Sequence, residues 1–111
     1  MMTKTFIHEI EQLKTECYQN AVDHGWWETE RNDGELVALM HSECSEILEG
    51  LRHPGPSEHI PEFTAVEEEL ADVIIRIADF SKARKCRLAE AIIAKMAYNE
   101  TRTYKHGGKK F

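Results

Sequence analysis

Apolar residues return every three or four positions along nearly the whole chain, and that period restricts it to helices. Phe6, Ile10, Leu13, Cys17 and Ala21 share one stripe and predict a first helix over about Thr3–Asp23, ended by His24-Gly25. Trp26-Trp27 begin a connector that runs to Arg31. Leu36, Met40, Ile47 and Leu51 predict a second helix over about Gly34–Arg52, with Asn32 or Asp33 as its N-cap. The loop His53-Pro54-Gly55-Pro56-Ser57 breaks it. Thr64-Ala65-Val66-Glu67 is a capping box, in which the Thr oxygen and the Glu side chain satisfy each other's free amides. It opens a third helix with Val66, Leu70, Val73 and Ile77 on its stripe, running to about Lys85. After a Lys85-Cys86-Arg87 corner, Leu88 and Ile92 mark a fourth helix over about Leu88–Thr101.

Strand signals are nearly absent. The expected fold is all-α, a four-helix antiparallel bundle forming a single domain over residues 1–111. Residues 104–111 have no periodicity and are expected to form a mobile tail. A bundle this small has a thin core, so packing against further copies, as a homodimer or homotetramer, is the expected remedy.

Hydrophobic residues make up 41% of the chain and charged ones 31%, too apolar for a disordered chain and too charged for a membrane protein. No stretch approaches the ~18 apolar residues of a membrane span, and the N-terminus turns polar too soon for a secretory signal. Cys17, Cys44 and Cys86 are odd in number and form no CxxC pair, which fits a reducing cytoplasm. A net charge of −6 argues against a nucleic acid polymer as partner. It leaves room for a phosphorylated substrate if a metal cation mediates.

Several polar residues fall on apolar stripes. Glu43 lies between Leu39 and Ile47, and Glu46 lies on the same flank. Glu69 borders the third helix's stripe beside Phe80 and Arg76, and Asp72 follows one turn on. Buried carboxylates need cations, and too few basic residues share these faces. Four oxygen donors without Cys or His suit Mg²⁺ or Mn²⁺ rather than zinc. On the fourth helix Lys95 and Asn99 share the stripe of Leu88 and Ile92, and Arg102 would continue it. That row suits a polyphosphate or nucleoside clamp. Trp26 or Trp27 can stack on a nucleobase, although one of two adjacent tryptophans commonly packs in a core. The histidines suggest no role beyond His24 at a pocket rim. A di-iron bundle is disfavoured because the sequence has no Glu-x-x-His. The non-enzymatic alternative is a helical dimerisation or adaptor module, with solvated acidic faces and Lys95 and Asn99 setting partner register.

Glu43-x-x-Glu46 and Glu69-x-x-Asp72, set in His41–Glu49 and Glu68–Arg76, resemble the E-x-x-E and E-x-x-D signature of the MazG-like, all-α nucleoside triphosphate pyrophosphohydrolases. Lys95-Met96-x-x-Asn99-x-x-Arg102, followed by Tyr104-Lys105-His106-Gly107-Gly108, resembles the small single-domain members. The likeness runs from about Trp26 to Lys109. It implies hydrolysis of a nucleoside triphosphate, with a deoxynucleotide favoured, to the monophosphate and pyrophosphate, water attacking the α-phosphorus. It further implies that Glu43, Glu46, Glu69 and Asp72 bind Mg²⁺, with Glu43 or Glu46 instead taking the water's proton. Lys95 and Arg102 would offset charge on pyrophosphate, Asn99 would contact sugar or phosphate, and Trp26 or Trp27 the base. Tyr104 and Lys105 would close over the phosphates. The role implied by analogy is cleansing of the nucleotide pool.

Overall fold

A computed structural model describes residues 4–104. It contains four α-helices, α1 (Lys4–Asp23), α2 (Asp33–Arg52), α3 (Ala65–Ala83) and α4 (Leu88–Glu100). The described residues form no strand, only an isolated bridge between Pro56 and Thr64. None of the described helices is long and apolar enough to cross a membrane.

Local chemistry sets each helix end. Gly25, at φ 84°, adopts the left-handed conformation that favours glycine. Its amide donates to Val22 O at 3.0 Å and the Trp26 amide donates to Ala21 O at 3.0 Å, closing α1 with a Schellman turn. Asn32 caps α2 by accepting from the Glu35 amide. Both halves of the Thr64–Glu67 capping box form at the start of α3, at 3.1 and 2.9 Å. α3 stops at Ala83, short of the expected Lys85, because Lys85 turns left-handed at φ 57° and the Cys86 amide returns to Ser81 O.

α3 is the hub. It packs against α1 and α2, while α4 packs mainly against α1. Near the N-terminus of α2, Asp33 accepts from Arg84 Nε at 2.6 Å, just past the end of α3. Near its C-terminus, Gly50 lies so close to the start of α3 that a Cβ there would come within 3.2 Å of Val66 Cγ2. Lys14 joins α1 to the α3–α4 corner. Only 3% exposed, it donates to Cys86 O at 2.6 Å and to Glu11 at 2.9 Å, which answers the cost of burying an ammonium.

The core is thin, as expected. Leu36, Ala78 and Ala89 are the buried apolar side chains among the described residues. Leu51 and Leu70, expected on the inner stripes, are instead 61% and 48% exposed. The cause is the placement of α4, whose main contact is α1, so that these faces of α2 and α3 stay uncovered. The chain exposes 8655 Å², against about 6,300 Å² for a folded monomer of its mass. Its radius of gyration is 16.4 Å, against about 13 Å for a compact chain of this length.

The α2–α3 loop is tied down at one point. Buried Ser57 donates to Glu68 and accepts from the His59 and Ile60 amides, and His59 Nδ1 lies 2.9 Å from the second Glu68 oxygen. Hydrogen bonds from Ser57 and then His59 hold Glu68 below its usual 4.5, and the Glu68 bond raises His59 above its usual 6.5. The His59 contribution to stability is therefore complete below 6.5 and lost as pH rises through its higher folded value. The Glu68 contribution is present above 4.5 and lost as pH falls through its lower folded value. An NMR titration is expected to place His59 above 6.5, and Glu68→Gln to bring it back down. Separately, Thr64→Ala is expected to cost about 1 kcal/mol in urea denaturation, through loss of the α3 cap.

Candidate metal-binding cleft

Glu43 lies on the face of α2 that meets α3, and Glu69 and Asp72 lie one turn apart on α3. Packing of the two helices brings the three together, with one carboxylate oxygen from each within 4.8 Å of the others. All three are half-buried. Desolvation first, then the hydrogen bond and charge of Asp72, push Glu69 up to about 7 from its usual 4.5. Arg76, one turn beyond Asp72, donates from Nε to Glu43 at 2.7 Å.

Glu46 stands outside this group and is exposed. Three residues advance a helix by about 300°, so it is turned about 60° from Glu43. On this seam that rotation carries the side chain to solvent.

Two of the three, Glu43 and Asp72, border a cleft of about 180 Å³. Glu43, Asp72, Arg76 and Asp79 line it from α2 and α3, and Trp26 and Arg31 from the connector after α1. The two tryptophans have separated tasks. Trp27 Nε1 donates to Asp79 at 2.9 Å, and its ring lies 5.8 Å from Tyr18, so it anchors the connector. Trp26 is 62% exposed at the cleft. The Arg31 guanidinium lies 5.6 Å from the Trp26 ring and 5.5 Å from the Trp27 ring, a cation–π contact with each. Burial raises Asp79, opposed by the Trp27 bond and by Arg31 and Arg76.

The cationic row on α4 lies elsewhere. Lys95, Asn99 and Arg102 are exposed and do not line this cleft. Lys95 and Arg102 instead lie over the Tyr98 ring, at 4.7 and 5.8 Å. The expected inner stripe of α4 holds only over its first half. Leu88, Ile92 and Ile93 are half-buried and Ala89 is fully buried, but from Ala94 to Glu100 every residue is exposed, Lys95 and Asn99 included. Tyr104 is exposed, while Lys105 and the rest of the expected tail lie outside the described residues. A larger cleft, about 560 Å³, is lined by Lys14, Lys82, Lys85 and Arg87 with Glu11 and Glu90. It gathers mostly cations and offers a metal no comparable oxygen cage.

Sequence reasoning missed Arg31 and Asp79, and it noted Arg76 only as a neighbour of Glu69. The signal for the α3 pair was present. Glu69, Asp72, Arg76 and Asp79 recur at helical spacing on one face. No such signal exists for Arg31, whose place depends on the turn at Gly25.

Compared with protein-family models, curated proteins and solved structures, the chain matches none.

A carboxyl raised on folding binds protons more tightly in the folded state, so its charging opposes folding. The metal-free protein is therefore expected to lose Glu69-dependent stability as pH rises from 4.5 to about 7. Thermal melts across that range should show a wild-type decline that Glu69→Gln flattens.

Proposed function

We propose that the chain is a divalent-cation-dependent nucleoside triphosphate pyrophosphohydrolase of MazG-like type. The observation that carries this is the meeting of Glu43, Glu69 and Asp72 beside a cleft that also holds Trp26, Arg31 and Arg76. Three oxygen donors with no sulfur or imidazole among them fit a hard cation, Mg²⁺ or Mn²⁺. One guanidinium does not neutralise three carboxylates, and Glu69 is raised first by desolvation and then by its acidic neighbours, Asp72 foremost. When bound, Mg²⁺ supplies charge neutralisation for the phosphates and acidifies a water.

The chain's own residues do the rest. Glu43 or Glu46 accepts the water's proton as its oxygen bonds to the α-phosphorus, and the α–β bridging P–O bond breaks to release pyrophosphate. Glu46, exposed and without an ion pair among the described residues, can pass that proton to solvent. Trp26 offers a flat face to the base, and Trp27 holds the connector in place through Asp79.

The cleft, about 180 Å³, is smaller than the ~300 Å³ at the low end of small-molecule pockets. A second copy is proposed to complete both the antiparallel bundle and the pocket. Its α4 would bring Lys95, Asn99 and Arg102 to the phosphates and sugar, with Tyr104 and Lys105 closing over them. The excess exposed surface supports such an assembly. A cytoplasmic role in clearing surplus or damaged deoxynucleotides follows by analogy.

Exposed Leu48, Leu51, Leu70 and Ile74 also suit a non-catalytic helical adaptor, the second reading. Incubation with Mg²⁺ and a nucleotide panel separates the two. Monophosphate and pyrophosphate are expected, with Glu43→Gln and Asp72→Asn each lowering turnover at least about 100-fold. Diphosphate and orthophosphate would place attack at the γ-phosphorus and refute the mechanism. No turnover, together with no Mg²⁺-dependent rise in melting temperature, would favour the adaptor.

A further inference from the structure

Building on that function, we propose that Arg76 is a resident counter-cation of the carboxylate cluster, released from Glu43 by a divalent cation and thereby delivered to the polyphosphate. Arg76 meets Glu43 across the α2–α3 seam at 2.7 Å, with Glu43 16% exposed and Arg76 38% exposed. Nε is the atom that donates to Glu43. A guanidinium has five N–H donors in a planar fork, so this bond leaves donors for a second acceptor. The same side chain lines the cleft beside Asp72.

Two features make the pair a latch rather than a plain brace. Among the described residues, Glu43 is the only one of the three clustered carboxylates in an ion pair, so any cation gathered by all three must contend with Arg76 for it. Like charges also repel, so a divalent ion and a guanidinium on the same carboxylate weaken each other's hold. The other cleft arginine is held differently. Arg31 rests against the Trp26 and Trp27 rings, which a metal ion does not claim. Of the two, Arg76 is the one whose partner changes when a cation arrives, and a polyphosphate is the anion able to take up the freed fork.

Metal and polyphosphate binding are thus coupled through one side chain. Calorimetry with Mn²⁺ alone, and with inorganic triphosphate in the presence or absence of Mg²⁺, reads this directly. Arg76→Gln is expected to bind Mn²⁺ about 5-fold or more tighter than wild type and to lose most of the Mg²⁺-dependent gain in triphosphate affinity. Arg76→Lys, which keeps the charge, should retain the weaker Mn²⁺ binding of wild type. As a check that needs no variant, the Arg76 Nε–H resonance should shift when Mg²⁺ is added to the wild-type protein. Unchanged or weaker Mn²⁺ binding by folded Arg76→Gln, or an Arg76 resonance indifferent to saturating Mg²⁺, would leave the metal site standing and overturn the latch. Wild-type protein that binds no Mn²⁺ would overturn the latch and the proposed function together.

Discussion

Carboxylates held within 4.8 Å of one another repel, each charged pair by roughly 3 kcal/mol at an effective dielectric of about 20. That is a large fraction of what a small domain has in hand. The seam between α2 and α3 must hold them there regardless, and it does so from both ends. Arg84 reaches Asp33 at one end, and Gly50 allows close contact with Val66 at the other. Between these points the Arg76–Glu43 pair and partial protonation of Glu69 ease the crowding. The charge arrangement therefore depends on backbone packing, and the packing tolerates the charges because one is paired and another is only partly ionised near pH 7.

How far the sequence reaches depends on the range of the interaction. Helix ends are local, and the Thr64–Glu67 box, the Asn32 cap and the Gly25 stop all stand where the residues place them. Inward Glu43, Glu69 and Asp72 were legible because three helical positions on facing stripes suffice to bring them together. Glu46 was not, since a helical wheel cannot resolve a rotation of about 60° at the edge of a seam. Lys95 and Asn99 were misplaced on an inner stripe for a longer-range reason. α4 is exposed on every side from Ala94 to Glu100, and a period count marks a stripe without showing where the neighbours that would cover it end. The tryptophans show the same boundary, because two adjacent indoles cannot be told apart until Asp79 takes one of them.

Charge is divided along the molecule. The acidic seam lies on the α2–α3 side, while Lys14, Lys82, Lys85 and Arg87 gather around the α3–α4 corner. In a chain of net charge −6 such separation produces a dipolar surface, able to orient an approaching ion before contact. Buried Lys14 belongs to the structural side of this division, since both of its partners lie in the fold itself.

The left-handed turn at Gly25 carries a consequence for how such a protein can diversify. It aims Trp26 and, through the two indoles, Arg31, while touching none of the carboxylates. Reactive groups and recognition groups thus sit on separately adjustable parts, rigid helices for one and a single backbone torsion for the other. Drift in the connector can retune which flat molecule is welcomed, while the acidic seam inherits its geometry unchanged.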